Sequence, residues 1–284
     1  MTLAVAPHRI KTYASFVKLE HTIFSLPLIF AGTLLHTHGW PRPALLGLIL
    51  LAAISGRVMA MGLNRIIDAE IDARNPRTRQ RELPCGTMER WEGWLIIAGA
   101  GILYAASAAA IAPICLRLSP IPVALFVLYP YLKRWTILAH LGLGVTWSMA
   151  PLGGWLAASG SLEGIGQVGW LWLFSVLWVT GFDIIYATMD EVFDREAGLH
   201  SLPVRIGKRQ ALLVAAFCHT IAFAALVALW RTQLGNPLAL VWLAGIGALF
   251  IWQHAVAERK PGFAFFQLNG VLGFVALALV LSDL

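Results

Sequence analysis

Two groups of polar residues with four-residue spacing recur in a chain that is otherwise poor in charge. The first group is Asn64, Asp68 and Asp72, and the second is Asp190 and Asp194. Residues four positions apart lie on one face of an α-helix, so each group is expected to form a stripe of oxygen atoms. Two carboxylates about 5 Å apart, at an effective dielectric constant of about 20, repel each other by about 3 kcal/mol. A bound cation would offset this repulsion, so we interpret both stripes as cation-binding.

The ligand chemistry of the stripes indicates which cation they bind. Their ligands are carboxylate and amide oxygens, without a histidine or cysteine cluster, and Asp183 extends the second stripe seven residues before Asp190. Hard oxygen ligands favour Mg²⁺, which is usually held by one or two carboxylates together with substrate phosphate oxygens. Solvation of acidic helix ends by water would explain one stripe. Two stripes at matched helix ends favour magnesium.

Basic residues surround both stripes. Arg77 follows the first stripe, Lys208 follows the second, and Lys133 ends another apolar segment four residues after Tyr129. Lysine and arginine are the usual protein partners of phosphate groups, and with a bridging metal they stabilise a leaving diphosphate. The combination predicts a diphosphate-binding site.

Membrane-spanning helices are predicted to position these residues. Of the 284 residues, 58% are hydrophobic and 13% are charged, and the mean hydropathy is +0.73; soluble domains carry about 25% charged residues. A helix needs about 20 apolar residues to cross a bilayer. Nine segments qualify, near 16–37, 44–64, 93–114, 119–133, 137–159, 167–188, 210–231, 236–256 and 264–282. We expect an all-α, polytopic membrane protein, a bundle of about nine transmembrane helices around a central cavity.

The distribution of charge predicts how the bundle is oriented. Nearly all Lys and Arg residues fall at the N-terminus and in the loops after the second, fourth, sixth and eighth segments. The positive-inside rule then makes the N-terminus and both acidic stripes cytoplasmic and the C-terminus external. The same rule explains the net charge of +6 without a nucleic-acid partner. It is also an alternative explanation for several basic residues near the stripes.

The spacing of the stripes suggests a duplicated unit. The two acidic helices lie four crossings apart, which indicates a weak internal repeat, roughly residues 16–134 and 137–256. We expect both halves to belong to a single membrane-embedded domain over residues 1–284.

One charged residue is predicted to lie deep in the membrane. Arg57 precedes Asn64 by seven residues, on the same helical face and about 10 Å deeper. A charged residue at such depth usually has a function. Its guanidinium group could bind the carboxylate of an aromatic acid through two parallel hydrogen bonds. A structural ion pair with Asp183 is the alternative.

Several short motifs accompany the two stripes. They are Asn64-xxx-Asp68-xxx-Asp72 with Asn75-Pro-Arg-Thr and Leu83-Pro-x-Gly, then Tyr129-xxx-Lys133, and Asp190-xxx-Asp194 with Gly198 and Ser201-x-Pro203. Together they resemble the UbiA superfamily of intramembrane aromatic prenyltransferases over nearly the whole chain. Residues 18–27 look like the branch of 4-hydroxybenzoate polyprenyltransferases and their menaquinone-pathway relatives. One departure is Arg65, where the family commonly has Asp; it removes no carboxylate from the stripe itself.

The resemblance implies a reaction and roles for individual residues. The reaction is Mg²⁺-dependent transfer of a polyprenyl group from polyprenyl diphosphate to an aromatic acid, with 4-hydroxybenzoate as the expected acceptor, in ubiquinone or menaquinone biosynthesis at the cell membrane. The magnesium ligands would be Asn64, Asp68, Asp72, Asp190 and Asp194. Lys133, with Arg77 or Lys208, would neutralise the diphosphate. Tyr129 and Tyr186 could stabilise an allylic cation through their π faces; an interfacial aromatic belt is the alternative.

Other functions stay open at this stage. Within the enzymes, the acceptor could instead be dihydroxynaphthoate, homogentisate or haem. A cation transporter would also carry acidic residues in its helices, but transport sites favour the middle of the bilayer. Here the acidic residues cluster at one end of the helices, which favours an enzyme. Glu20 and His21, at the start of the first segment, could line the site or cap the helix.

Overall fold

The computed structural model describes residues 7–18 and 26–284, and its regular elements are helical throughout that part. The helices are α1 (Pro7–Phe16), α2 (Leu26–Thr37), α3 (Pro43–Ile67), α4 (Ala69–Arg74), α5 (Arg90–Ile111), α6 (Pro113–Leu118), α7 (Pro120–Leu132), α8 (Ala139–Ser159), α9 (Gly169–Ala187), α10 (Glu191–Glu196), α11 (Leu202–Ile206), α12 (Lys208–Leu229), α13 (Ala239–Ala257) and α14 (Pro261–Leu281). The expected all-α fold is confirmed.

Seven helical segments in the described part are long and apolar enough to cross a membrane. They are Pro43–Ile67, Arg90–Ile111, Pro113–Leu132, Ile165–Ala187, Lys208–Leu234, Ala239–Ala257 and Pro261–Leu281. The 21-residue α8 corresponds to the predicted segment 137–159, and α2 is a shorter apolar helix within the predicted segment 16–37. Each of the nine predicted segments therefore has a helical counterpart among the described residues.

The first predicted segment is not a single helix. It does not run unbroken from residue 16, because α1 ends at Phe16 and Lys18 has a φ of 48°, a conformation that a continuing helix excludes. Glu20 and His21 lie outside the described residues. The fourth segment, 119–133, corresponds to α7 alone. It is preceded by the short α6, and both helices begin with proline, which lacks the N–H that a helix interior needs.

Both acidic motifs interrupt their helices at the central aspartate. Asp68 separates α3 from α4 with φ −93° and ψ 0°, and Asp190 precedes α10 with φ −107° and ψ 4°. The backbone N–H of Asp72 still donates to the Asp68 carbonyl at 2.8 Å, as that of Asp194 does to Asp190. The expected continuous helical stripes are therefore corrected to stripes that bend at their middle residue while keeping the four-residue relation.

Glycine allows α2 and α8 to approach each other closely. A Cβ atom on Gly154 would lie 2.0 Å from the Ile29 carbonyl oxygen, and one on Gly32 would lie 2.1 Å from the Pro151 carbonyl oxygen. The Thr33 hydroxyl donates to the Gly154 carbonyl at 3.2 Å. Within a bilayer, close van der Waals packing of this kind replaces the hydrophobic effect as the force that joins helices. It positions α8, several residues of which line a cavity between α3 and α8.

We expect Gly154→Ala to destabilise the bundle, because the new methyl group would overlap the backbone of α2. Overpacking of this kind typically costs about 1–3 kcal/mol. Heating the detergent-solubilised protein and measuring the fraction that stays monodisperse would detect the loss. Gly153→Ala is the matched control, since nothing lies within 4 Å of its Cβ position. Equal thermal stability of the two variants would contradict the close-packing interpretation.

Candidate active site

The first acidic stripe lies where α3, α4 and α7 meet. The Asp68 carboxylate accepts hydrogen bonds from Lys133 Nζ at 2.6 Å and from Asn64 Nδ2 at 3.2 Å. Its side chain is only 4% exposed, and among the described residues its buried Oδ1 atom accepts no hydrogen bond, although Arg134 lies 3.6 Å away. Burial raises the pKa of the Asp68 carboxyl above its ordinary value, even though Lys133 acts in the opposite direction.

Arg77 reaches from the loop after α4 to the second stripe. Its Nε donates to Asp190 Oδ1 at 2.9 Å, while its two terminal nitrogens contact Asp190 Oδ2 and the Tyr186 hydroxyl. The guanidinium carbon lies 4.6 Å from the centre of the Tyr186 ring, and Asn75 Nδ2 donates to Asp190 at 3.0 Å. Burial raises the pKa of Asp190, but hydrogen bonds from Arg77 outweigh it and leave that pKa below its ordinary value. The loop thus links two motifs that are far apart in sequence.

Basic side chains lie between the remaining carboxylates. Arg81 donates to Asp72 Oδ2 at 2.6 Å and also interacts electrostatically with Asp190. Lys133, bonded to Asp68, interacts electrostatically with Asp194, whose pKa burial raises to about 6. No three His, Cys, Asp or Glu side chains in the described part of the chain converge enough to hold a metal ion among themselves. The two stripes instead face each other across Arg and Lys side chains.

A largely apolar cavity of about 310 Å³ lies among α3, α5, α7 and α8. Arg57 is in its wall, with the guanidinium carbon 5.3 Å from the centre of the Trp147 ring. Its Nε is buried and has no hydrogen-bond partner among the described residues. Tyr129 also lines the cavity, and its phenol interacts electrostatically with Arg57, Asp68 and Asp183. Tyr129 therefore lies between Arg57 in the cavity wall and the acidic end.

The ion pair considered between Arg57 and Asp183 does not form. Asp183 Oδ2 lies 2.7 Å from Nδ1 of His140 on α8. Sequence reasoning missed His140, since a single histidine in an apolar helix carries no pattern that marks it. Lys208 is not brought to the stripes; its Nζ donates at 3.1 Å to the carbonyl of Glu258, just beyond α13.

The fold and the site together define a class of protein. Two facing acidic motifs with basic side chains between them, beside an apolar cavity within a helical membrane bundle, are typical of an intramembrane enzyme. Residues 25–280 match the UbiA prenyltransferase family. The chain belongs to this family, so it is an intramembrane prenyltransferase, and the resemblance seen in the sequence motifs is confirmed.

Individual relatives are similar to this chain over nearly its whole length. The 4-hydroxybenzoate octaprenyltransferase of Vibrio atlanticus (strain LGP32) is 27% identical over 260 residues, which cover 90% of each chain. The apo structure of a UbiA homologue from Aeropyrum pernix K1 is 34% identical, with a TM-score of 0.86 over 93% of this chain and 98% of that one. A UbiA homologue from Archaeoglobus fulgidus, bound to GPP and Mg²⁺, is 17% identical with a TM-score of 0.72 over 96% and 99% of the two chains, and it shares the fold.

Proposed function

We propose that this prenyltransferase transfers a polyprenyl group from polyprenyl diphosphate to 4-hydroxybenzoate, with Mg²⁺, in quinone biosynthesis. The observation that carries the proposal is Arg57, whose buried Nε has no hydrogen-bond partner among the described residues and which lies in the wall of an apolar cavity next to the acidic stripes. A cation in such a wall needs a counter-ion, which an aromatic carboxylate would supply. The Vibrio relative is a 4-hydroxybenzoate octaprenyltransferase and the Archaeoglobus homologue binds GPP and Mg²⁺, and both support these substrates and this metal.

The donor chemistry of the two stripes suits a magnesium ion that substrate phosphate oxygens also bind. The donor set consists of oxygen ligands, and the buried Asp68 Oδ1 accepts no hydrogen bond from the described residues. The residues that would hold the metal are Asn64, Asp68, Asp72, Asp190 and Asp194. When bound, Mg²⁺ supplies positive charge that stabilises the leaving diphosphate.

The basic side chains between the stripes bind the diphosphate. Lys133 and Arg77 now donate to Asp68 and Asp190, and phosphate oxygens accept the same charge-assisted hydrogen bonds. The bond between the allylic carbon and the diphosphate breaks, and its electron pair leaves with the diphosphate. The π face of Tyr129 in the cavity, and that of Tyr186 beside Arg77, stabilise the allylic cation.

Arg57 orients the acceptor. Its planar guanidinium group matches a carboxylate through two parallel hydrogen bonds, while Trp147 and Tyr129 provide apolar surface for the ring. The ring carbon ortho to the hydroxyl then attacks the allylic cation. Dihydroxynaphthoate carries the same carboxylate and is the second candidate acceptor.

A second, larger groove of about 1040 Å³ provides a path for the prenyl tail. One end is lined by Arg77 and Arg81 of the acidic site, and the other by Phe266 and Phe274 of α14. A diphosphate would lie at the basic end while the tail follows the apolar face of α14 into the lipid. This groove would then open sideways to the lipid, as a prenyl tail longer than the protein interior requires.

The acceptor can be tested directly. Membranes containing the protein, labelled geranyl diphosphate and Mg²⁺ are incubated separately with 4-hydroxybenzoate, dihydroxynaphthoate, homogentisate or haem. We expect prenylated 4-hydroxybenzoate to form fastest, and only when Mg²⁺ is present. A product from another acceptor alone would overturn the proposed substrate, and a Mg²⁺-independent rate would overturn the metal.

Removing a carboxylate from either stripe should abolish most of the turnover. We expect Asp68→Ala, Asp72→Ala, Asp190→Ala and Asp194→Ala each to lower kcat by a factor of about 10² or more, because the charge held on the diphosphate is lost. Glu70→Ala is the matched control, since Glu70 lies on α4 between Asp68 and Asp72 in sequence and its side chain is 85% exposed. Near-normal rates in any two stripe variants at saturating Mg²⁺ would contradict the metal assignment.

Replacing Arg57 should affect one substrate selectively. We expect Arg57→Ala to raise the KM for 4-hydroxybenzoate about ten- to a hundredfold, the equivalent of about 1.5–3 kcal/mol for one charged hydrogen-bonding partner. The KM for the prenyl diphosphate should stay nearly constant. Arg57→Lys keeps the charge without the planar fork and should fall in between. Equal increases in both KM values would assign Arg57 to structure instead of acceptor binding.

The proposed orientation places the site on the cytoplasmic face of the cell membrane, with the N-terminus inside and the C-terminus outside. Cys85 is exposed in the loop that follows the first stripe. In a variant without Cys115 and Cys218, we expect a membrane-impermeant thiol reagent to label Cys85 in inverted vesicles only. Labelling in intact cells would reverse the orientation.

A further inference from the structure

A buried histidine holds Asp183 through a defined nitrogen. His140 Nδ1 lies 2.7 Å from Asp183 Oδ2, and the backbone N–H of Leu202 donates to His140 Nε2 at 3.2 Å. An imidazole nitrogen that accepts a hydrogen bond carries no proton, so the ring proton lies on Nδ1. His140 is therefore a neutral donor to the Asp183 carboxylate, and the start of α11 fixes this tautomer.

The pair lies between the cavity and the acidic stripes. Leu143 and Trp147, three and seven residues after His140 on α8, line the cavity, so His140 continues the same helical face. Tyr129 interacts electrostatically with Asp183 as well as with Arg57. The Asp183 side chain is 21% exposed, in contrast to the closed environment of Asp68. Asp183 is therefore the more accessible of the two carboxylates.

Asp183 also differs from three of the four stripe aspartates in its partners. Asp68, Asp72 and Asp190 each form an ion pair with a lysine or arginine, whereas Asp183 is held in the described chain by the neutral imidazole of His140. His140 therefore orients Asp183 without neutralising its charge. Asp183 keeps one oxygen, Oδ1, without a hydrogen bond from any described residue, so this oxygen is available to a substrate.

We propose that Asp183 is the base that takes the ring proton during prenyl transfer, and that His140 positions it; this rests on the proposed function. A carbon–carbon bond forms between the allylic carbon and the ring carbon ortho to the hydroxyl, after the diphosphate has left with its electron pair. That ring carbon then holds both the prenyl group and its hydrogen, and the ring is positively charged. Asp183 Oδ1 takes the proton, the C–H electron pair returns to the ring, and aromaticity is restored. The exposed side of Asp183 then releases the proton to water.

The test uses the full-length protein in membranes and a ring-deuterated 4-hydroxybenzoate. We expect Asp183→Asn to lower kcat by a factor of about 10²–10⁴, the usual range for general base catalysis. Proton removal should become rate-limiting, so a primary isotope effect on kcat should exceed that of the wild type. Both KM values should change little. A wild-type kcat, or a reduced kcat without an increased isotope effect, would overturn the proposal.

His140 variants test the positioning role independently of Asp183→Asn. Asparagine places an amide N–H near the position of Nδ1, so His140→Asn should recover most of the kcat that His140→Ala loses, and His140→Ala should show the increased isotope effect. Equal kcat values in the two variants would overturn the role of His140. These variants also decide the matter if Asp183→Asn does not accumulate in membranes.

The outcome for Asp183 can be separated from that for the overall function. If the wild-type protein prenylates no aromatic acid, the proposed function fails, and this base with it. If the wild type is active, Asp183→Asn should still ionise the donor, which is seen as prenyl alcohol formed when water captures the cation. Loss of this alcohol together with loss of transfer would place Asp183 in diphosphate ionisation and overturn its role as the ring base.

Discussion

The site depends on one constraint: its carboxylates lie at the ends of membrane-spanning helices, where charge is poorly screened, so each carboxylate needs a compensating partner. Desolvating a carboxylate is costly unless a partner compensates its charge. The protein meets this cost by joining Lys133 to Asp68 and Arg77 to Asp190. Each pair also connects separate elements, because Lys133 follows α7 and Arg77 belongs to the loop after α4. The residues that prepare the site for an anion are therefore the same residues that hold its walls together.

This arrangement allows ligands to exchange partners without leaving charge uncompensated. A diphosphate would accept the hydrogen bonds of the basic side chains, and the released carboxylates would bind magnesium. Most carboxylates and basic side chains therefore have a partner of opposite charge both with and without the diphosphate. Deeper in the bundle the situation differs, because Arg57 lies against the face of Trp147 and its Nε has no hydrogen-bond partner among the described residues. A cation in that position is expensive to maintain, and an acidic substrate would remove the cost.

The two charged regions meet along α8, which explains the importance of its packing. Gly154 lets the helix approach α2, while the opposite end carries His140 toward Asp183 and Trp147 toward Arg57. One helix thus connects the acceptor-binding region with the reaction centre. Positions on regular helices hold side chains more accurately than positions on loops.

The helix count, the two acidic stripes and the depth of Arg57 could be predicted from the sequence, because hydropathy and four-residue spacing are local properties of a helix. Motif resemblance added the chemistry of the reaction. Contacts between distant segments could not be predicted: Arg77 reaches Asp190 across 113 positions, and His140 reaches Asp183 across 43. Nor did the spacing reveal that both stripes bend at their central aspartate, or that Lys208 lies with Glu258. These features depend on how whole helices pack, and packing is decided by surfaces that only the folded chain brings together.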